Sequence, residues 1–186
     1  MKTYAGGLKR GEFVNHQGSI WQITKTEFYS PGKGSALMHT KLKNVATGKT
    51  VDYAFKSNED VETVEVNSIE MQYMYKDEDN LYFMNEQTYD QMSVPVSMAE
   101  GFVQYLKEGD KLYVFVHEDK ALSVRAPLTV RLKVTETEDA VKGDTVTNAR
   151  KPATTETGAT IMVPLFVKAG EIVTINPETG EYVGRA

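Results

Sequence analysis

The chain has 186 residues, 40% of them apolar and 25% charged, with a formal net charge of −5 and no cysteine. Such a composition is that of an ordinary soluble globular protein, and the lack of cysteine excludes disulfides, thiolate zinc sites and a cysteine nucleophile. No apolar run reaches the roughly eighteen residues of a membrane-spanning helix, and Lys9 and Arg10 follow the first residues without the apolar core of a secretion signal, so a cytoplasmic protein is expected.

Charge is unevenly distributed. Residues 1–50 carry eight Lys/Arg against only Glu12 and Glu27, a net of +6. Residues 51–127 carry six against sixteen acidic residues, a net of −10, and residues 128–186 carry seven against eight, a net of −1. A basic end suited to phosphate is thereby set apart from an acidic middle.

Taken in chain order, the elements are almost all strands. Phe13-Val14 and Ile20-Trp21-Gln22-Ile23 flank the turn Asn15-His16-Gln17-Gly18, which predicts a hairpin. Pro31-Gly32-Lys33-Gly34 then separates that strand from Ala36-Leu37-Met38. Pro31 fixes its own φ and the two glycines accept angles forbidden to a Cβ, so Lys33 is expected at the tip of a hairpin or long loop, clear of the surface. Lys41 to Val45, the turn Ala46-Thr47-Gly48-Lys49 and Val51 to Phe55 complete a small twisted barrel of about sixty residues.

Two further hairpins follow: Met71–Tyr75 with Leu81–Met84 around the acidic turn Asp77-Glu78-Asp79-Asn80, and Lys111–Val116 with Ala121–Val124 around His117-Glu118-Asp119-Lys120. Between them Ser97 and Glu100 form a capping-box pattern, with Met98, Phe102, Tyr105 and Leu106 at helical spacing, and this predicts the one helix. Two hairpins and a short helix suit a five-stranded barrel of the oligonucleotide/oligosaccharide-binding (OB) type. Beyond Pro127, Val130, Leu132 and Val134 alternate with Arg131 and Lys133 as a half-buried strand. A polar loop is expected from Thr135 to Thr157, then strands at Ile161–Val163, Ile172–Ile175 and Glu181–Val183, without a sequence repeat of the preceding unit. The domains expected are 1–63, 64–127 and 128–186.

No catalytic pattern emerges. His16, His39 and His117 are scattered without metal-ligand spacing, and two of them fall in predicted turns where a solvated ring is expected. Gly48-Lys49-Thr50 resembles the end of a P-loop, but Lys43 stands where that motif needs glycine and a strand follows where it needs a helix. The acidic cluster Asp77-Glu78-Asp79-Asn80 is read as a hairpin turn. Most of Tyr73, Tyr75, Tyr82 and Phe83 are read as core, because the surrounding negative charge would repel a nucleic-acid backbone. No enzyme activity, cofactor or metal is expected.

Pro31-Gly32-Lys33-Gly34-Ser35-Ala36, Thr40–Asn44 and Thr47-Gly48 resemble the first domain of bacterial elongation factor P. The resemblance continues through Met71-Gln72-Tyr73, Phe83-Met84, Lys142–Thr145, Lys151–Thr154, Glu156–Gly158, Val163-Pro164-Leu165-Phe166-Val167 and the ending Thr179–Arg185, in order along essentially the whole chain. It implies an all-β protein of three small barrels, an SH3-like KOW-type domain and two OB domains, in an L shape like that of transfer RNA. It further implies a non-enzymatic, monomeric factor that binds both ribosomal subunits between the peptidyl (P) and exit (E) sites and promotes peptide bonds at consecutive prolines.

On that resemblance Pro31, Gly32, Lys33 and Gly34 reach toward the acceptor end of peptidyl-tRNA, and Lys33 is a target for a lysine-modifying enzyme. Gly143, Asp144 and Thr145 match a loop that the family places near messenger RNA by the exit-site codon, and Tyr182 and Arg185 a pattern near the anticodon stem of peptidyl-tRNA. Asp139-Ala140 departs from the Pro-Gly usual before Lys142, and His39 stands where many members carry arginine. The alternatives are a paralogue with another ribosomal role and a stand-alone single-strand-binding OB protein.

Overall fold

Strand-period alternation organises the described residues, and the helix among them is limited to single turns. The computed structural model describes residues 1–140 and 148–186, which gather into two compact units, Met1–Ser68 with Phe115–Ser123 and Ile69–Val114 with Val124–Ala186.

In the first unit, β1 (Lys2–Tyr4), β2 (Phe13–His16), β3 (Ser19–Tyr29), β4 (Leu37–Asn44), β5 (Thr50–Lys56) and β6 (Asp60–Val64) form one antiparallel sheet in the order β1-β6-β2-β3-β4-β5. The predicted first hairpin closes through Gln17 and Gly18, both at positive φ, the two-residue turn whose twist suits flanking strands. Ala5, Leu8, Val14, Ile23, Leu42, Phe55 and Val61 form the core, with Trp21, Val51 and Tyr53 packed against it. Each fully buried large side chain contributes about 1.5–3 kcal/mol relative to exposure.

Strand β4 alternates cleanly: Met38, Thr40, Leu42 and Asn44 are buried, whereas His39, Lys41 and Lys43 are exposed. At its end Asn44 Oδ1 accepts hydrogen bonds from the Ala46 and Thr47 amides at 3.0 and 2.9 Å, folding the turn into β5. Asn44→Ala leaves those two donors without their partner and is expected to cost about 1–2 kcal/mol. The check is a lower urea midpoint at an unchanged m-value.

The next five strands are β7 (Asn67–Lys76), β8 (Asn80–Met84), β9 (Gln91–Pro95), β10 (Lys111–His117) and β11 (Lys120–Arg125), in the order β11-β10-β7-β8-β9. The last five are β12 (Val130–Thr137), β13 (Arg150–Thr155), β14 (Thr160–Pro164), β15 (Ile172–Asn176) and β16 (Glu181–Arg185), in the order β14-β13-β12-β15-β16. Numbered within each sheet and read from opposite edges, the two orders are the same, third-second-first-fourth-fifth. Topology therefore repeats where sequence does not. In the last sheet β14 and β16 also approach one another, giving a barrel-like closure around Leu132, Val134, Val163, Val173 and Ile175.

Two expectations need correction. The predicted helix is instead two single 3-10 turns, Val96–Ala99 and Val103–Tyr105. Pro95 precedes the first turn, no side chain caps it, and Phe102 at φ −140°, ψ −3° interrupts the spiral next to Gly101. The apolar face is nonetheless used, since Phe102, Tyr105 and Leu106 are buried. The loop expected from Thr135 to Thr157 contains the rest of β12 and all of β13. Its polar letters are misleading: Lys151 is 6% exposed with Nζ donating to the Glu138 carbonyl, and Thr155 is buried with its hydroxyl donating to the Ala159 carbonyl at 3.1 Å. Pro152 faces outward between them, so the inward positions keep strand period.

Candidate functional site

The loop of residues 30–36 joins β3 to β4 beyond the closing pair Tyr29↔Leu37. Strand β3 is eleven residues long and bulged between Ile23 and Lys25, where the Thr24 hydroxyl donates to the Lys41 carbonyl at 3.0 Å. Such a bulge sharpens strand twist. At the far end of this long hairpin Gly32, Lys33, Gly34 and Ser35 are exposed while Pro31 is half-buried. Gly34 has φ +110°, a conformation that L side chains rarely adopt, and no atom lies within 4 Å of where a Cβ on Gly32 would stand. The base of the loop is pinned by the Ser57 amide donating to the Ala36 carbonyl at 2.9 Å. Among the described residues, no hydrogen bond or ion pair engages Lys33. A flexible cation is thus carried on a fixed stem.

Below it lies a groove of about 350 Å³ lined by Lys25, Glu27, His39, Lys41, Asp52 and Tyr53, among others. Strand register makes it, with Lys25 opposite Lys41 and Lys41 opposite Asp52 in one row, and Glu27 opposite His39 in the next. Tyr29 stands edge-on to His39 with ring centroids 6.2 Å apart. Lys25 and Lys41 are balanced there by Glu27 and Asp52, with Lys25 Nζ 3.9 Å from Glu27 Oε2, so the groove joins mixed charge to an aromatic surface continuous with the hairpin and does not express the basic excess of residues 1–50.

In the second unit, strict alternation along β16 would place Tyr182 and Arg185 on opposite faces. A bulge prevents this: Ile175 pairs with Tyr182, Thr174 with Gly184 and Val173 with Arg185, leaving Val183 as the extra residue. Val173 and Ile175 share a face, so their partners Arg185 and Tyr182 do too. The Arg185 guanidinium carbon lies 4.5 Å from the Phe166 ring centroid, and its Nε is 3.7 Å from Glu171 Oε2. Phe166 is 54% exposed, although it is a large apolar ring. Phe166 belongs to the matched run Val163–Val167, but its residue type announces no role, and neither the stacking nor the bulge is legible in the sequence. Gly143, Asp144 and Thr145 lie outside the described residues.

Other side chains resolve differently from expectation. His16 and His117 are half-buried rather than solvated. The His16 ring packs 4.4 Å from Tyr53, and His117 Nδ1 lies 2.7 Å from the Glu65 carbonyl oxygen. Tyr73 and Phe83 are core, but Tyr75 and Tyr82 stack 4.6 Å apart on the surface. The Tyr82 hydroxyl donates to Asp77 Oδ2 at 2.7 Å. That bond and the amides of Asn80 and Asp79 hold the Asp77 carboxyl below its ordinary range and fold the acidic turn. Among the described residues no group of three or more His, Asp or Glu side chains is placed to hold a metal ion. Nor is any helix among them long and apolar enough to cross a membrane.

Three family models match in chain order: the elongation factor P KOW-like domain over residues 5–61, the elongation factor P OB domain over 66–124, and the elongation factor P C-terminal domain over 130–185. A relative from Agathobacter rectalis named elongation factor P is 41% identical over 181 residues, spanning 97% of this chain and 98% of its own length. The chain belongs to the elongation factor P family. Elongation factor P from Moorella thermoacetica is 40% identical over 96% of this chain and 97% of its own. Among solved structures, eukaryotic translation initiation factor 5A from Methanococcus jannaschii matches 68% of this chain and 97% of its own, at 21% identity and a TM-score of 0.50. A protein of the same initiation factor family from Naegleria fowleri matches 68% and 96% at 19% identity and a TM-score of 0.52. These last two speak for the fold alone. Within the elongation factor P family, the KOW-like match falls on the six-stranded sheet, the OB match on the first five-stranded sheet and the C-terminal match on the second.

Proposed function

We propose that this chain is a cytoplasmic, monomeric translation factor that binds both ribosomal subunits between the P and E sites and stimulates peptide bond formation at consecutive prolines. Three domains, 1–63, 64–127 and 128–186, divide the work. Lys33 approaches the acceptor end of peptidyl-tRNA, residues 143–145 approach messenger RNA near the exit-site codon, and Tyr182 and Arg185 approach the anticodon stem. The observation that carries this reading is similarity along nearly the whole chain to proteins named elongation factor P, supported by the exposed cation at the hairpin tip.

The chemistry asks little of the protein. The attacking amine and the ester it cleaves both belong to the tRNAs, and the ribosome remains the catalyst. Proline is a poor donor and acceptor whose ring restrains the nascent chain. A factor that holds the acceptor end in a reactive pose therefore lowers the entropic part of the barrier. Tenfold in rate is about 1.4 kcal/mol, within reach of one charge-assisted hydrogen bond of about 1.5–3 kcal/mol. Lys33 suits that role because its ammonium reaches among phosphates and ribose hydroxyls on a thin stem. Lys33 is also the proposed substrate of a modifying enzyme, which would lengthen that stem.

The test is cell-free translation of a template with three consecutive proline codons beside a proline-free control, with protein purified from its native host. Selective stimulation of the proline template is expected. Ribosome binding without such stimulation would overturn the proline assignment.

A further inference from the structure

The geometry points to Phe166 as a positioning residue that holds the Arg185 guanidinium ready for a phosphate of the RNA backbone. This rests on the proposed ribosomal reading and deepens it. Arg185 lies on β16 with its side chain exposed, where a long side chain ordinarily samples many rotamers. Here the Phe166 ring lies 4.5 Å from the guanidinium carbon, a cation–π stack that restricts those rotamers. Glu171 stands beside Nε at 3.7 Å. Its own backbone is fixed, the carbonyl accepting from the Val134 amide at 2.9 Å and the amide donating to the Lys168 carbonyl at 3.2 Å.

With one ring face and the Nε edge occupied, the two terminal nitrogens remain. No hydrogen bond engages them among the described residues. Their parallel N–H bonds match two oxygens of a phosphate diester, the bidentate geometry that guanidinium forms and ammonium does not. The bulge at Val183 turns the half-buried Tyr182 to the same side of β16 as Arg185. Exposure of Phe166 is explained as well, because its ring serves the arginine and not the core.

The experiment measures affinity of the full chain for bacterial ribosomes carrying peptidyl-tRNA in the P site, across a salt series. Wild type is compared with Phe166→Ala, Phe166→Trp, Arg185→Ala and the Phe166→Ala/Arg185→Ala double variant. Arg185→Ala is expected to weaken binding about five- to tenfold and to reduce the slope of log affinity against log salt by about one. Phe166→Ala is expected to weaken binding about threefold with the slope unchanged, since the charge remains, and Phe166→Trp to stay within about twofold of wild type. The double variant is expected to bind like Arg185→Ala alone. If Phe166→Ala costs as much without Arg185 as with it, or if Arg185→Ala binds like wild type, the inference is overturned while the ribosomal reading stands. Failure of wild type to bind ribosomes overturns both.

Discussion

Lys33→Ala is expected to reduce stimulation of the three-proline template at least about tenfold while shifting the thermal midpoint by less than about 1 °C. The separation follows from the loop's construction. Lys33 is exposed and engages none of the described residues, so truncation removes no packing and leaves no buried group unsatisfied. The loop's shape depends on Pro31, on Gly34 at φ +110° and on the Ser57–Ala36 bond, all untouched by the change. Lys33→Arg keeps the charge but replaces a narrow ammonium by a broad planar fork, and it is expected to retain only part of the stimulation. The same cell-free assay, paired with a melting curve for each variant, checks both expectations. Full activity in Lys33→Ala would remove Lys33 from the mechanism.

Gly180→Ala is expected to carry the largest stability penalty of any single methyl addition on the last hairpin. Gly180 has φ +72°, and its amide donates to the Asn176 carbonyl at 2.8 Å to close the turn from β15 into β16. A Cβ there would clash with the Tyr105 hydroxyl oxygen and stand 3.1 Å from the ring carbon that bears it. Left-handed backbone costs an alanine roughly 1–2 kcal/mol, and overpacking typically about 1–3 more, so a loss of about 2–5 kcal/mol is expected in urea unfolding. Tyr105→Phe removes the nearest atom and is expected to restore about half of the loss in the Gly180→Ala background, the backbone share persisting. A Gly180→Ala protein as stable as wild type would show that the turn rearranges freely.

Much of the fold could be read from residue period alone. Alternation along β4 and β12, the Gln17-Gly18 turn and the Asn44 turn are local, and local chemistry decides them. The failures have two causes, a partner outside the segment and a local break that residue period does not register. Lys151 looks like a loop residue until the Glu138 carbonyl that satisfies it is in view, and Met98 to Leu106 keep helical spacing while Gly101 and Phe102 break the spiral. At the candidate site, Lys33 was legible because proline and glycine announce a tip. The shared face of Tyr182 and Arg185 was not, since it depends on a bulge defined by the neighbouring strand.

The strand β4 alternation has a metric consequence. Sliding β4 by one residue would turn His39, Lys41 and Lys43 toward the core and expel Met38 and Leu42, so the barrel admits a single alignment of the hairpin. One residue of strand is about 3.3 Å, whereas misplacing a reacting group by about 1 Å can cost a hundredfold in rate. The apolar residues at the base of the hairpin therefore act as a gauge block. Leu42 and Ile23, far along the strands from residue 33, set how far that lysine projects.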